Sequence, residues 1–154
     1  MIKSVLPSRN RRERPLSRAS VLLADDQEEF LAIERRLLEP EFQVVETVRD
    51  GQAAVAAAVR LAPDVLVLDV SMPVLDGIAA ARSLRAAGSQ AKIVFLTVHG
   101  DPDYVRAALA VGAVGYVVKC RLASDLVPAL RDALAGRSFV SPSMPQVPTR
   151  TREL

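Results

Sequence analysis

Five short apolar runs, each giving way to polar residues and then to a stretch with helical spacing, constrain the fold of this chain more than any other feature. Val21-Leu22-Leu23-Ala24 runs into Asp25-Asp26, Val65-Leu66-Val67-Leu68 into Asp69, Ile93-Val94-Phe95-Leu96 into Thr97, and Gly115-Tyr116-Val117-Val118 into Lys119. Residues 42–48 (FQVVETV) form the remaining run. Apolar runs of this length without strict alternation are what strands buried on both faces of a parallel sheet require. Between them, Phe30, Ile33, Leu37 and Leu38 recur at helical spacing until Pro40, and an alanine-rich stretch at 51–61 stops before Pro63. Residues 77–87 read as a helix closed by Gly88, residues 101–111 as another, and residues 124–135 as a last one ending at Gly136. Strands alternating with helices imply an α/β fold, a doubly wound five-stranded parallel sheet in a flavodoxin-like (βα)5 three-layer sandwich.

Charge divides the chain into three parts. Residues 1–19 carry six basic groups against Glu13, whereas residues 20–136 carry eleven basic and sixteen acidic groups. The basic pI near 9.0 therefore belongs to the ends and not to the body. Residues 1–19 read as a poorly ordered basic arm, 20–137 as the folded domain, and 138–154, with Pro142, Pro145 and Pro148, as a linker or frayed tail. One cysteine and one histidine exclude an internal disulfide and metal sites built on those residues. No run approaches the roughly 18 apolar residues that a spanning helix needs, and the start lacks the apolar core of a secretory signal. A cytoplasmic protein without membrane association is expected.

In open parallel sheets the functional crevice lies outside the carboxyl ends of the strands. Asp25, Asp26, Asp69, Thr97 and Lys119 stand at those ends, from four strands. One acid after a strand is an ordinary turn former or helix cap. Five such groups at one edge need another explanation. Clustered carboxylates repel one another and call for a cation, and hard oxygen ligands with open positions suit Mg²⁺ and phosphate oxygens. A lysine offsets charge, a threonine hydroxyl hydrogen-bonds a phosphoryl oxygen, and carboxylates form aspartyl-phosphate intermediates.

The segments ADDQ (24–27), DVSMPVLDG (69–77), FLTVH around Thr97 and GAVGYVVK (112–119) together resemble the receiver domains of bacterial two-component response regulators. The resemblance covers roughly residues 20–137. It implies Asp69 as the phosphoacceptor, with Mg²⁺ held by Asp25, Asp26, Asp69 and the backbone carbonyl of Ser71. It implies that Thr97 and Lys119 bind the phosphoryl group and that Tyr116 is the switch aromatic. Ser71 and His99 fall on the two rim positions that tune dephosphorylation. TVHGDPDYVRAALAVGAVGYVVK and LRDALAGRSFVSP are similar to regulators of the NarL or LuxR type, in which a helix-turn-helix effector usually follows.

The implied partners are a sensor histidine kinase and a second copy of the chain. DNA would be contacted only through an effector domain not present in this chain, and the closing TRTREL resembles the opening of such an effector. The protein would catalyse its own phosphorylation and dephosphorylation, with no external turnover. Two other readings are a receiver fold that dimerises without phosphorylation and an aspartate-nucleophile phosphohydrolase. The latter wants an acid two residues after Asp69, where Ser71 stands.

Several residues have local readings. Asp76-Gly77 reads as a turn and helix start, and Pro73 as shaping the loop that carries Ser71. Cys120 stands where the family usually has proline or aspartate after the lysine, often with an unusual peptide geometry, and reads here as a small apolar filler. If Ser124 caps the last helix, Pro128 falls at about its fourth position and costs little.

Overall fold

The computed structural model describes residues 18–98 and 102–142. The strands are β1 (Ser20–Ala24), β2 (Gln43–Val48), β3 (Val65–Asp69), β4 (Lys92–Thr97), β5 (Gly115–Val118) and β6 (Phe139–Val140). The helices are α1 (Glu28–Leu38), α2 (Gly51–Leu61), α3 (Gly77–Ala86), α4 (Pro102–Ala110) and α5 (Leu122–Leu134), with a 3₁₀ turn at Lys119–Arg121. All strand pairs are parallel, in the order β2-β1-β3-β4-β5-β6.

The continuous apolar runs are buried because helices cover both faces. Leu22, Leu66, Leu68, Ile93 and Phe95 pack on one side with Ala54, Ala57, Ala80, Leu84 and Val105 from α2, α3 and α4. Val21, Leu23, Val65, Val67, Val94 and Val117 pack on the other with Leu31 and Leu38 of α1 and Leu126 and Leu130 of α5. Alternate residues of one strand therefore feed two separate cores, the arrangement that makes an unalternating sequence stable.

The expected α/β architecture stands, with corrections. The sheet has a sixth strand: residues 138–142, read as the start of a tail, lie along β5, with Phe139 N–H donating to Val114 O and Ser141 N–H to Tyr116 O, both at 2.9 Å. The last helix begins at Leu122, since the 3₁₀ turn feeds directly into it and leaves no extended residue at Ser124 to act as a cap. Pro128 is consequently the seventh residue of α5, inside the helix and not in its first turn. Cys120 is exposed in the 3₁₀ turn and fills no gap, and among the described residues no peptide bond is cis.

The β3–α3 connection is tightly built. Asp76 caps α3 by accepting the Ala79 N–H at 2.8 Å, as its spacing foretells. Leu75 N–H donates to Pro73 O at 2.7 Å across Val74, whose φ of +71° is rare for a β-branched residue and marks local backbone strain in this connection. A Cβ on Gly77 would stand 2.2 Å from the Asp69 carbonyl oxygen. Gly77→Ala is thus expected to destabilise the fold by about 2 kcal/mol, because backbone and not a flexible side chain must yield. Urea unfolding measures this, and an unchanged midpoint would mean that the helix start can move off β3.

Candidate functional site

Sheet register brings the chemistry together. Ala24 pairs with Leu68, Asp69 with Leu96 and Thr97 with Val118, so β1, β3, β4 and β5 end at one level. The residues that close or follow these strands then face one cleft of about 420 Å³, lined by Asp26, Asp69, Ser71, Thr97, Tyr104 and Lys119 among others. A larger hollow of about 590 Å³ lies at the opposite end of the sheet between the ends of α2 and α3, lined mainly by small and apolar residues. The convergence of ionisable groups, not size, identifies the first as the functional cleft.

Asp25 is fully buried and Asp69 nearly so, whereas Asp26 reaches solvent. Carboxylate oxygens of the three lie within 4.8 Å of one another. The buried Lys119 ammonium stands 2.8 Å from Asp25 Oδ2 and 3.3 Å from Asp69 Oδ2, and 4.2 Å from the centre of the Phe30 ring. Burial pulls this ammonium toward the neutral form, but the hydrogen bond to Asp25 and the charges of Asp69 and Asp25 outweigh it and hold its pKa above the ordinary lysine value. Burial, and then the charge of Asp25, push the Asp69 carboxyl up to about 6 against the opposing Lys119.

Ser71 is exposed at the cleft rim, and its N–H donates to Asp69 Oδ1 at 3.3 Å. Thr97 is buried at the end of β4, and Tyr116 is buried with its ring tilted against Phe95 at 6.3 Å between centroids. Seven of the eight expected site residues are therefore placed, six of them at the cleft edge or just beneath it and Tyr116 one layer inside. His99 lies outside the described residues.

Glu34 escaped the sequence reading. It lies on α1 at 0% exposure, beneath the carboxylates, and neither carboxyl oxygen has a hydrogen-bond partner. Burial, and next the charge of Asp25, push its carboxyl up to about 9. Two carboxylates cannot donate to each other, so a proton retained on Glu34 supplies the missing donor toward Asp25. Among Glu28, Glu29, Arg35 and Arg36 the residue looks like part of a solvated helix face; only its phase with Leu31 and Leu38 could have marked it as inward.

The donor set fits a hard divalent cation. The three carboxylates offer oxygens at close range, and the single ammonium beside Asp25 and Asp69 offsets only part of their charge. Receiver domains bind Mg²⁺ through such an acidic cluster.

Residues 21–131 match the response regulator receiver domain family. The chain is 32% identical over 130 residues to the transcriptional regulatory protein DegU of Brevibacillus brevis, covering 83% of this chain and 55% of that one. It is 33% identical over 129 residues to the response regulator UvrY of Escherichia coli, covering 82% of this chain and 59% of the relative. The chain thus spans little more than half the length of these relatives. A crystal structure of a LuxR-family two-component response regulator from Aurantimonas superposes with a TM-score of 0.81 at 33% identity, covering 90% of this chain and all of that one. The receiver domain of the putative regulator NarL from Mycobacterium tuberculosis superposes with a TM-score of 0.75 at 30% identity, covering 79% of this chain and 99% of the other. With its carboxylates and lysine gathered at the strand ends, this chain belongs to the receiver domains of NarL/LuxR-type two-component response regulators.

Proposed function

We propose that the protein is a phosphorylation-driven switch in which Asp69 accepts a phosphoryl group from a sensor histidine kinase. The observation that supports this most is the meeting of three carboxylates within 4.8 Å with a buried lysine 3.3 Å from Asp69. Asp25, Asp26, Asp69 and the Ser71 carbonyl would hold Mg²⁺, which supplies charge neutralisation for the transferring group. Asp69 attacks phosphorus through its carboxylate oxygen, forming the acyl phosphate as the bond to the donor breaks. Lys119 then exchanges part of its pairing with Asp69 for a phosphoryl oxygen, and the Thr97 hydroxyl turns to another. Tyr116 follows Thr97, altering the face of α4, β5 and α5 that contacts a second copy or an attached DNA-binding output. Ser71 and His99 set the access of hydrolytic water. A cytoplasmic setting goes with this role; among the described residues no helix is long and apolar enough to cross a membrane.

The test is incubation with acetyl phosphate. Incorporation of one phosphoryl group that requires Mg²⁺ and is released by hydroxylamine supports the reading. Incorporation that proceeds equally in EDTA contradicts it. A second expectation follows from the raised Asp69 carboxyl near 6. Mg²⁺ needs the ionised carboxylate, so below about pH 6 its affinity should fall about tenfold per unit as protons compete. Calorimetric titration between pH 5 and 8 checks this, and a flat profile would count against Asp69 as a ligand.

A further inference from the structure

The chain leaving the domain is tied to the strand that carries the site lysine by a buried polar contact, separate from the strand pairing. Ser141 is 1% exposed and Asp125 4%. Val118 N–H donates to Ser141 Oγ at 3.1 Å, and that hydroxyl donates to Asp125 Oδ2 at 2.7 Å. The same carboxylate accepts Arg121 Nε at 2.8 Å, Arg121 Nη2 at 3.2 Å and the Ser124 hydroxyl at 3.0 Å. One hydroxyl thus joins β5, the first turn of α5 and the segment after β6. Arg121, in the turn that begins at Lys119, completes the ring.

We propose that Asp125 and Ser141 are positioning residues that couple the Lys119 end of β5 to the segment leaving the domain. The proposal rests on the phosphoacceptor reading above. Val118 and Lys119 share a peptide bond, so a displacement of Lys119 from Asp25 and Asp69 toward a phosphoryl oxygen strains the peptide whose neighbouring N–H Ser141 holds. Strand pairing alone would anchor residues 139–141 through Val114 and Tyr116. The hydroxyl contact adds a bond one residue from the reacting lysine, and Asp125 holds that hydroxyl against a helix whose start is continuous with the same turn. Such coupling is reciprocal: if occupancy of the site alters the latch, cutting the latch alters occupancy by the same factor.

The test uses the full chain with Mg²⁺ and beryllofluoride as the phosphoryl mimic. In the unaltered protein, amide hydrogen exchange at Val118 and Ser141 is expected to change about fivefold on adding beryllofluoride. The half-saturating concentration of beryllofluoride is expected to shift about fivefold in Ser141→Ala and to return toward the original value in Ser141→Thr, which keeps the hydroxyl. A latch that only stabilises the fold would leave exchange at Val118 and Ser141 altered no more than at core amides away from the latch, such as Leu22, and that result overturns the proposal even if Ser141→Ala fails to fold. An unshifted half-saturation in folded Ser141→Ala overturns it as well. If the unaltered protein does not bind beryllofluoride at all, the phosphoacceptor reading itself fails and the coupling falls with it.

Discussion

Lys119→Met is expected to destabilise the Mg²⁺-free protein by about 3 kcal/mol at pH 8 and to slow phosphoryl transfer from acetyl phosphate by about two orders of magnitude. Lys119 is 6% exposed and lies between Asp25 and Asp69, so methionine fills its space but leaves buried carboxylates without their cation. Removing one partner of a buried ion pair costs more than the pair is worth, because the remaining charge stays desolvated. The Asp69 carboxyl, already raised by burial and by Asp25, relieves part of the cost by taking a proton. Without the opposing ammonium its pKa in the folded variant lies further above the unfolded value, and an acid so raised loses stability as pH climbs through that interval. The deficit should therefore be larger at pH 8 than at pH 5, and Mg²⁺ should rescue the variant more than it stabilises the parent. Urea unfolding at the two pH values and initial rates of incorporation measure both effects. A variant as stable as the parent at pH 8 would mean that the lysine does not neutralise the cluster.

Glu34→Gln is expected to act in the opposite direction, stabilising the protein by about 2 kcal/mol or more at pH 8 and hardly at all at pH 4.5. The Glu34 carboxyl sits near 9 in the folded chain, held there first by burial and then by Asp25, against an ordinary 4.5. Below 4.5 both folded and unfolded states hold the proton, and the group contributes no pH dependence. Between 4.5 and 9 the unfolded chain has lost it while the folded chain keeps it, so stability declines as pH rises. Glutamine retains a donor toward Asp25 and has nothing to titrate, so the advantage of the variant should widen steadily with pH. Thermal or urea unfolding at pH 4.5, 6 and 8 measures this. A variant less stable than the parent at pH 8 would mean that an ionised Glu34 has a stabilising partner.

The two substitutions also mark the boundary of what the sequence made legible. Lys119 could be placed because a parallel sheet aligns its strand ends. Once 115–118 reads as a buried strand, its terminal lysine must meet Asp25 and Asp69 at the same edge. Glu34 could not, because a helix's phase against a sheet depends on packing, and a glutamate in a helix that also carries Glu28, Glu29, Arg35 and Arg36 reads as solvent-facing until burial is seen. Ser141 was hidden for another reason. The proline-rich end of the chain carries no periodic signal, and two residues, Phe139 and Val140, suffice for an edge strand. The beginning of α5 was misjudged because Ser124 has the composition of a cap, whereas its hydroxyl serves Arg121 O and Asp125 within an established helix. Long-range register and helix caps such as Asp76 follow from residue type, whereas contacts made by single polar groups in the third dimension do not.

The central claim, that this strand-end cluster exists to carry a phosphoryl group on Asp69, is tested most directly by comparing the intact protein with Asp69→Ala after acetyl phosphate and Mg²⁺ treatment. Mass spectrometry is expected to find one added phosphoryl group on the former and none on the variant. Equal incorporation in Asp69→Ala would contradict the claim.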